Sequence, residues 1–381
     1  MRLSVLIIGI EPTPYVLDLF DLLHEKWNGD IDVLFLKENF TQNWNLTLKK
    51  NAIVLKSGFF HFLKKIYQIY FQKNYQLFFL AGWSHPMTIS CILLSKLCGI
   101  PVVVDTDTPH NPKTISWKRC IKRLIYPILF KLPTVFLASG TRQINYLKSY
   151  AVPDKKIILE KMTVDVLGMQ RYIAQLPKNK KTVLRNNIGL SNNDFIFLFI
   201  GRLIERKGVY ELLQSFSAIK DVRAKLVIAG DGPLKSAVEE YAQKNKNIVY
   251  VGRLKNTEVT DLYFMSDIFI LPAHWEPFGL VINEALAAGK PVIASNQVGC
   301  IDDLVIHQKT GLRIKENSVF DLTSAMMYFL NHPEQYEMMS QHSLNQISTW
   351  TLEDEVAQIF KAWRLAMGCQ ENVTDVSSEN G

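Results

Sequence analysis

Three short stretches in the second half of the chain carry residues whose types could do chemistry. Gly201-Arg202-Leu203-Ile204-Glu205-Arg206-Lys207-Gly208 follows a β-branched and aromatic run and precedes a helical pattern. Gly201 would let backbone approach a ligand. Arg202 and Lys207 could converge on phosphate oxygens, one as a planar fork and the other as a point charge. Gly230-Asp231-Gly232-Pro233 is a second glycine-bearing turn, and Arg253-Leu254 follows the next apolar run. The third stretch, His274 to Ser295, holds two glutamates, Glu276 and Glu284, with seven residues between them. Glu276 lies among Trp, Pro, Phe and Gly, a loop composition. Glu284 lies in Val281–Ala288, a short apolar helix pattern closed by Gly289. Taken singly, each feature has an ordinary reading: a solvated cation, a tight left-handed turn, a helix-capping acid, a surface acid.

These residues need elements that place them on one rim. Leu3–Ile10, Ile31–Leu36, Leu77–Ala81, Val102–Val104 and Val135–Ala138 read as strands of a first parallel sheet. Phe195–Ile200, Lys225–Ala229, Ile248–Val251, Ile268–Leu271 and Val292–Ser295 read as strands of a second. Helical patterns alternate with both sets, which predicts an α/β chain of two doubly wound units. Ligands in such sheets bind beyond the carboxyl ends of the strands, where all three stretches fall. Gln175–Asn193 is polar and poor in structure signals, and it is the expected hinge.

Composition sets limits. The chain has 381 residues, 48% hydrophobic and 21% charged, enough for two full cores. No run of 18 apolar residues is free of charge, so no bilayer span is expected. MRLSVLIIGI lacks a small-residue cleavage site and reads as a first core strand rather than a signal peptide. Five cysteines without metal spacing suit a reducing cytosol. Residues 1–180 carry 24 Lys and Arg against 12 Asp and Glu, whereas the remainder carries 19 against 24. Only the first half is therefore expected to face something anionic.

Gly201-Arg202-Leu203 … Lys207-Gly208, Gly230-Asp231-Gly232-Pro233-Leu234 and Glu276-Pro277-Phe278-Gly279-Leu280 … Glu284-Ala285 … Gly289-Lys290-Pro291-Val292-Ile293-Ala294-Ser295 together resemble glycosyltransferase family 4. The resemblance is specific over roughly residues 195–315 and looser before. It implies a GT-B architecture, two Rossmann-like domains facing across a cleft. The boundaries would be 1–166 for an acceptor-side domain and 167–351 for a donor domain. A C-terminal helix at about 352–366 would pack back on the first domain, and 367–381 would be a disordered tail. It implies a retaining transfer from a nucleoside-diphosphate sugar, with no metal and no cofactor. Glu284 would accept hydrogen bonds from the ribose diol, and Glu276 would hold hydroxyls of the transferred sugar. Backbone N–H groups of Phe278, Gly279 and Leu280 would meet the sugar and diphosphate at a helix start. Arg202 and Lys207 would neutralise the leaving diphosphate, and Gly201, Gly230, Arg253 and Leu254 would complete the donor site. No protein nucleophile is established for such enzymes; the leaving phosphate can itself deprotonate the acceptor.

The first half departs from the usual family pattern. Where relatives often have a Gly-Gly loop, this chain has Gly9-Ile10-Glu11-Pro12-Thr13-Pro14-Tyr15. Glu11 and Tyr15 are its acceptor-side candidates. The customary histidine would fall in Val104-Asp105-Thr106-Asp107-Thr108-Pro109-His110, where Asp107 is the first candidate and His110 the second; a turn-capping role is the alternative. Asp105-Thr106-Asp107 is also the one triplet that could act as a metal clamp.

Ser57–Phe79 and Ser116–Lys131 interleave aromatic and aliphatic residues with Lys and Arg. They suit helices lying on anionic lipid, and equally core helices with a solvated basic face. No nucleic-acid module accompanies the charge. The leading expectation is a cytoplasmic transferase, peripheral on the inner face of the membrane. It would move sugar onto a saccharide acceptor, expected to be lipid-linked, in surface polysaccharide assembly. Two alternatives stand beside it. One is a sugar-nucleotide sensor or scaffold without catalysis. The other is a dinucleotide-dependent oxidoreductase, which lacks its Gly-x-Gly-x-x-Gly after the first strand.

Overall fold

A computed structural model describes residues 3–37, 52–55, 62, 64, 66–68, 73–111, 114–254 and 256–369. The expected tail lies outside them from residue 370, as do residues 57–61, 63, 65 and 69–72 of the expected segment between Ser57 and Phe79. The chain divides into two units: residues 1–139, 143–161 and 352–381 in the first, and 140–142 and 162–351 in the second.

The first unit is built on β1 (Leu3–Gly9), β2 (Gly29–Phe35), β3 (Ala52–Val54), β4 (Leu77–Ala81), β5 (Val102–Thr106), β6 (Val135–Ala138) and β7 (Ile157–Leu159). They form one sheet in the order β3-β2-β1-β4-β5-β6-β7, and every pairing is parallel. Successive side chains of a strand point to opposite faces, and β1 shows it. Leu6 and Ile8 enter one core, while Val5 and Ile7 enter the other. Helix Leu352–Ala366 belongs to this unit and closes the second core. Its Trp363 meets Trp27 edge-on at 5.1 Å and Phe79 at 5.8 Å.

The second unit contains β8 (Phe195–Ile200), β9 (Ala224–Ala229), β10 (Ile248–Gly252), β11 (Ile268–Leu271), β12 (Val292–Ser295) and β13 (Gly311–Ile314). Their order is β10-β9-β8-β11-β12-β13, again all parallel. Ile196 and Leu198 face one core, Phe197 and Phe199 the other. The order reverses between β8 and β11. Adjacent connections there leave on opposite faces and open a crevice at the carboxyl ends.

Two expectations need correction. Gln175–Asn193 is not a hinge: it holds helix Lys180–Asn187 inside the second unit. Its polarity is used internally. Arg185 is buried, donates to both Asp267 carboxylate oxygens at 3.0 Å, and donates to the carbonyls of Met265 and Asp194. The boundary after Val166 also moves, to Lys161. Val166 is buried in the core of the second unit, and Thr163 Oγ1 donates to the Trp350 carbonyl at 2.7 Å.

Candidate functional site

The crevice between β8 and β11 is lined by the loop after each strand. After β8, Gly201 leads through the turn Glu205–Lys207 to Gly208, which has φ of +73°. A Cβ there would lie 2.1 Å from the Pro272 carbonyl oxygen, so this position takes only glycine. That contact lets the two loops touch. The His274 N–H donates to the Arg206 carbonyl at 2.8 Å, His274 Nε2 lies 3.0 Å from Glu211, and the Arg206 guanidinium covers the Trp275 ring at 5.4 Å.

Glu276 is held by its backbone. Its N–H donates to the Gln297 carbonyl at 3.0 Å, and its carbonyl accepts from Gly299 N–H at 3.0 Å. Its carboxylate lies 2.7 Å from Lys207 Nζ, with the side chains only 14% and 11% exposed. The two residues assigned separately to sugar and diphosphate thus stand together as an ion pair. Beyond them, Gly279 (φ +107°) starts helix Leu280–Ala287. The N–H groups of Phe278, Gly279 and Leu280 have no acceptor among the described residues. They form a positive end beside the pair. The Phe278 ring is buried and stacks on Trp350 at 6.2 Å, which fixes the helix start.

Glu284 lies one helical turn further on. It accepts a hydrogen bond from Tyr263 Oη at 2.8 Å, and the same hydroxyl reaches the Val281 carbonyl at 3.1 Å. Burial pushes the Glu284 carboxyl up to about 7, with the Tyr263 hydrogen bond opposing. Burial and the Glu284 charge raise the Tyr263 hydroxyl well above its ordinary range, so it remains a donor. Tyr263 carries no local signal: it sits in helix Asn256–Met265, and only the fold brings it to Glu284.

The β9 turn supports the β8 loop. Gly230 has φ of +142°, and a Cβ on it would meet the Gly201 carbonyl oxygen at 1.9 Å. The Leu203 N–H donates to the Asp231 carbonyl at 2.9 Å, and Tyr250 Oη donates to the Gly230 carbonyl at 2.9 Å. Gly201 itself differs. A Cβ there would be 3.6 Å from Phe199 and 4.0 Å from Lys207 Cε, ordinary contacts, so the protein alone does not demand glycine. Arg202 is exposed; its carbonyl accepts from Ile204 N–H at 3.0 Å, and its side chain has no hydrogen bond or ion pair among the described residues. Arg253 is exposed, and Leu254 packs on the core.

In the first unit, Tyr15 lies within the field of Asp107, Glu11 and Asp105, and burial is the main cause that raises its hydroxyl. The His110 ring meets Tyr146 at 5.0 Å and Tyr150 at 6.5 Å, and burial, then Arg119 and Lys122, lower it. Asp105 is engaged below the loop. It hydrogen-bonds Glu160, and burial first, then Asp107, push it up to about 7 despite that bond. Glu160 is raised further by burial, Asp105 and Glu355. The Asp105-Thr106-Asp107 triplet is thus split between two settings. Among the described residues no three His, Cys, Asp or Glu side chains converge on a metal position.

Solved structures match along nearly the whole chain. The Anabaena protein HepE in complex with UDP superposes with a TM-score of 0.77, covering 95% of this chain and 99% of that one at 15% identity. The fold is GT-B. Within it, residues 180–346 match the family model described as glycosyl transferases group 1, which places that match on the second GT-B unit. An uncharacterized glycosyltransferase of Methanocaldococcus jannaschii is 29% identical over 167 residues, 43% of this chain and 42% of that protein. The putative teichuronic acid biosynthesis glycosyltransferase of Bacillus subtilis is 31% identical over 160 residues, 42% and 39% respectively. The chain therefore spans less than half the length of these two relatives, and the family match at 180–346 includes Lys207, Glu276 and Glu284.

Proposed function

We propose that this chain is a retaining glycosyltransferase of family 4 that takes a sugar from a nucleoside-diphosphate donor without a metal ion. The observation that carries the reading is the Lys207–Glu276 pair at 2.7 Å, set in the β8/β11 crevice beside the open N–H groups of residues 278–280. A diphosphate entering there meets a cation and a helix N-terminus, the chemistry a leaving nucleotide requires. Arg202, exposed and uncommitted, adds a second cation. Lys207 transferred to phosphate frees Glu276 for sugar hydroxyls, and Glu284 in its ionised form accepts from the ribose diol. Gly201 leaves room for the donor at the carboxyl end of β8. In the first unit, Asp107 with Glu11 and Tyr15 is the leading acceptor-side group, and His110 is the second candidate for the place of the customary histidine.

The UDP bound to the Anabaena protein supports a nucleotide-sugar donor. The name of the Bacillus subtilis relative supports a saccharide acceptor in surface polysaccharide assembly. The basic first half supports a lipid-linked acceptor, met from the cytoplasmic face of an anionic membrane. The test is a thermal-shift panel of nucleoside diphosphates and their sugars, followed by donor hydrolysis and transfer with and without EDTA. A binder at ~100 times its dissociation constant adds about 2.7 kcal/mol. Glu284→Ala should weaken that binding by about 1.5–3 kcal/mol. Unchanged affinity would remove Glu284 from the site. Manganese-restored, EDTA-sensitive transfer would overturn the metal-free reading, and binding without hydrolysis or transfer would leave a sensor.

A further inference from the structure

Helix Ser116–Leu129 reverses the usual arrangement of a crossover helix. Such helices bury their apolar stripe against the sheet and turn their charges to water. None of the fourteen residues here is buried. Trp117, Ile121, Leu124, Ile125 and Ile128 are 59%, 45%, 74%, 52% and 68% exposed. At about 100° per residue these five fall on one face. The side toward the protein is made by Tyr126, whose ring meets Trp83 at 4.6 Å, Tyr150 at 5.1 Å and Phe130 at 5.2 Å. The outward stripe is therefore surplus to the core.

Its charge is one-sided. The helix contains Lys118, Arg119, Lys122 and Arg123 and no acid. Lys118 lies over the Trp117 ring at 5.5 Å, at the edge of the apolar face, and Lys122 lies over Tyr126 at 5.6 Å, nearer the protein side. Helix Pro86–Cys98 packs on the same core as Tyr126 and Phe130, and repeats the feature. Its Leu93 and Leu97, one turn apart, are 50% and 85% exposed, with Lys96 exposed between them.

We propose that helix Ser116–Leu129 is a bilayer-docking element that lies in the plane of an anionic membrane. Trp117, Ile121, Leu124, Ile125 and Ile128 enter the boundary between headgroups and acyl chains, Lys118 at the edge of the stripe sits on lipid phosphates, and Arg119, Lys122 and Arg123 add attraction to the anionic surface at longer range. Leu93 and Leu97 of the neighbouring helix provide a second apolar contact. A second copy of this chain fits the same face poorly, since a two-fold contact would set four cations against four more. Lipid supplies what the face lacks, apolar depth and negative charge together. The inference rests on the membrane part of the proposed function and is independent of its donor chemistry. It adds insertion, which salt does not screen, to attraction, which salt does.

The experiment uses the full chain and vesicles of phosphatidylglycerol with phosphatidylcholine, with neither donor nor acceptor. Wild-type protein should co-sediment at low salt and retain a measurable fraction at high salt. Chain-brominated lipids should quench its tryptophan fluorescence, and Trp117→Phe should remove most of that quenching. Replacing Lys118, Arg119, Lys122 and Arg123 by Gln should abolish the salt-sensitive part. Leu124→Ser with Ile128→Ser should reduce binding at least tenfold at every salt concentration. All of these side chains but the half-buried Lys122 are exposed, so both sets should keep the wild-type melting temperature and nucleotide-induced stabilisation. Intact nucleotide binding with lost vesicle binding separates this surface from the donor site. A wild type that never sediments with anionic vesicles at low salt would overturn the proposal. So would vesicle binding unaffected by the Leu124/Ile128 pair, or a dimer that this pair dissolves while the wild type ignores lipid.

Discussion

Lys207→Met tests whether the crevice stores charge before a donor arrives. Two unit charges 2.7 Å apart attract by about 6 kcal/mol at an effective dielectric of ~20. With side chains only 11% and 14% exposed, both ions have also lost much of their hydration, so the net value of the pair is far smaller. Removing one partner is different, because the other ion is left partly buried and unpaired. Lys207→Met and Glu276→Gln should each cost about 3–5 kcal/mol of unfolding free energy. The double variant should cost about as much as either single. The assay is urea unfolding of the wild type, both singles and the double in ligand-free buffer. Nucleoside diphosphate added to Glu276→Gln should stabilise it strongly, since Lys207 is then free for phosphate. The same ligand should do little for Lys207→Met. Single-variant costs that add to within ~0.5 kcal/mol would refute the reasoning, because independent sites behave that way.

Two further outcomes follow from the same crevice. Glu284 is pushed up to about 7 from an ordinary 4.5, so its folded form retains a proton that the unfolded chain releases. Its contribution to stability is complete below about 4.5 and lost as pH rises through about 7. Nucleotide affinity should run the opposite way, strengthening as the carboxyl ionises through that range, and Glu284→Gln should flatten the titration measured by calorimetry. The glycines separate fold from ligand: Gly208→Ala should cost about 1–3 kcal/mol in thermal unfolding through its positive φ and the Pro272 carbonyl. Gly201→Ala should leave the melting temperature near wild type and still weaken nucleotide binding. Equal melting losses for both would show that Gly201 serves the fold.

The loops at the strand ends of the second unit were legible because their signals are local. Gly208, Gly230 and Gly279 announce turns by residue type, and Arg202, Lys207 and Glu276 lie within a few residues of a strand end. Tyr263 was not legible, since its hydrogen bond to Glu284 joins two helices. The pairing of Asp105 with Glu160 likewise joins the ends of separate strands. Polarity misled at Gln175–Asn193, where Arg185 spends its guanidinium on Asp267 and backbone carbonyls instead of on water. The short strands β3, β7 and β13 carry too few residues to show alternation. Residues 116–129 show another limit: a stripe repeating at helical spacing reads alike whether it faces a core or the outside. Only the exposure of Leu124 and Ile128 in the folded chain distinguishes them.

Helix Leu352–Ala366 has a consequence for the order in which the chain can fold. Trp363 and Phe360 fill a core whose other walls, Phe20, Phe35 and Phe79, are made long before them. Those walls must wait, apolar and uncovered, while some three hundred residues emerge at ~5–20 per second. The second unit, continuous but for three residues, has its own cores and no such delay. The half that begins first on the ribosome is thus the half completed last, and a chain stopped before residue 352 would present Trp27 and Phe79 to any passing chaperone.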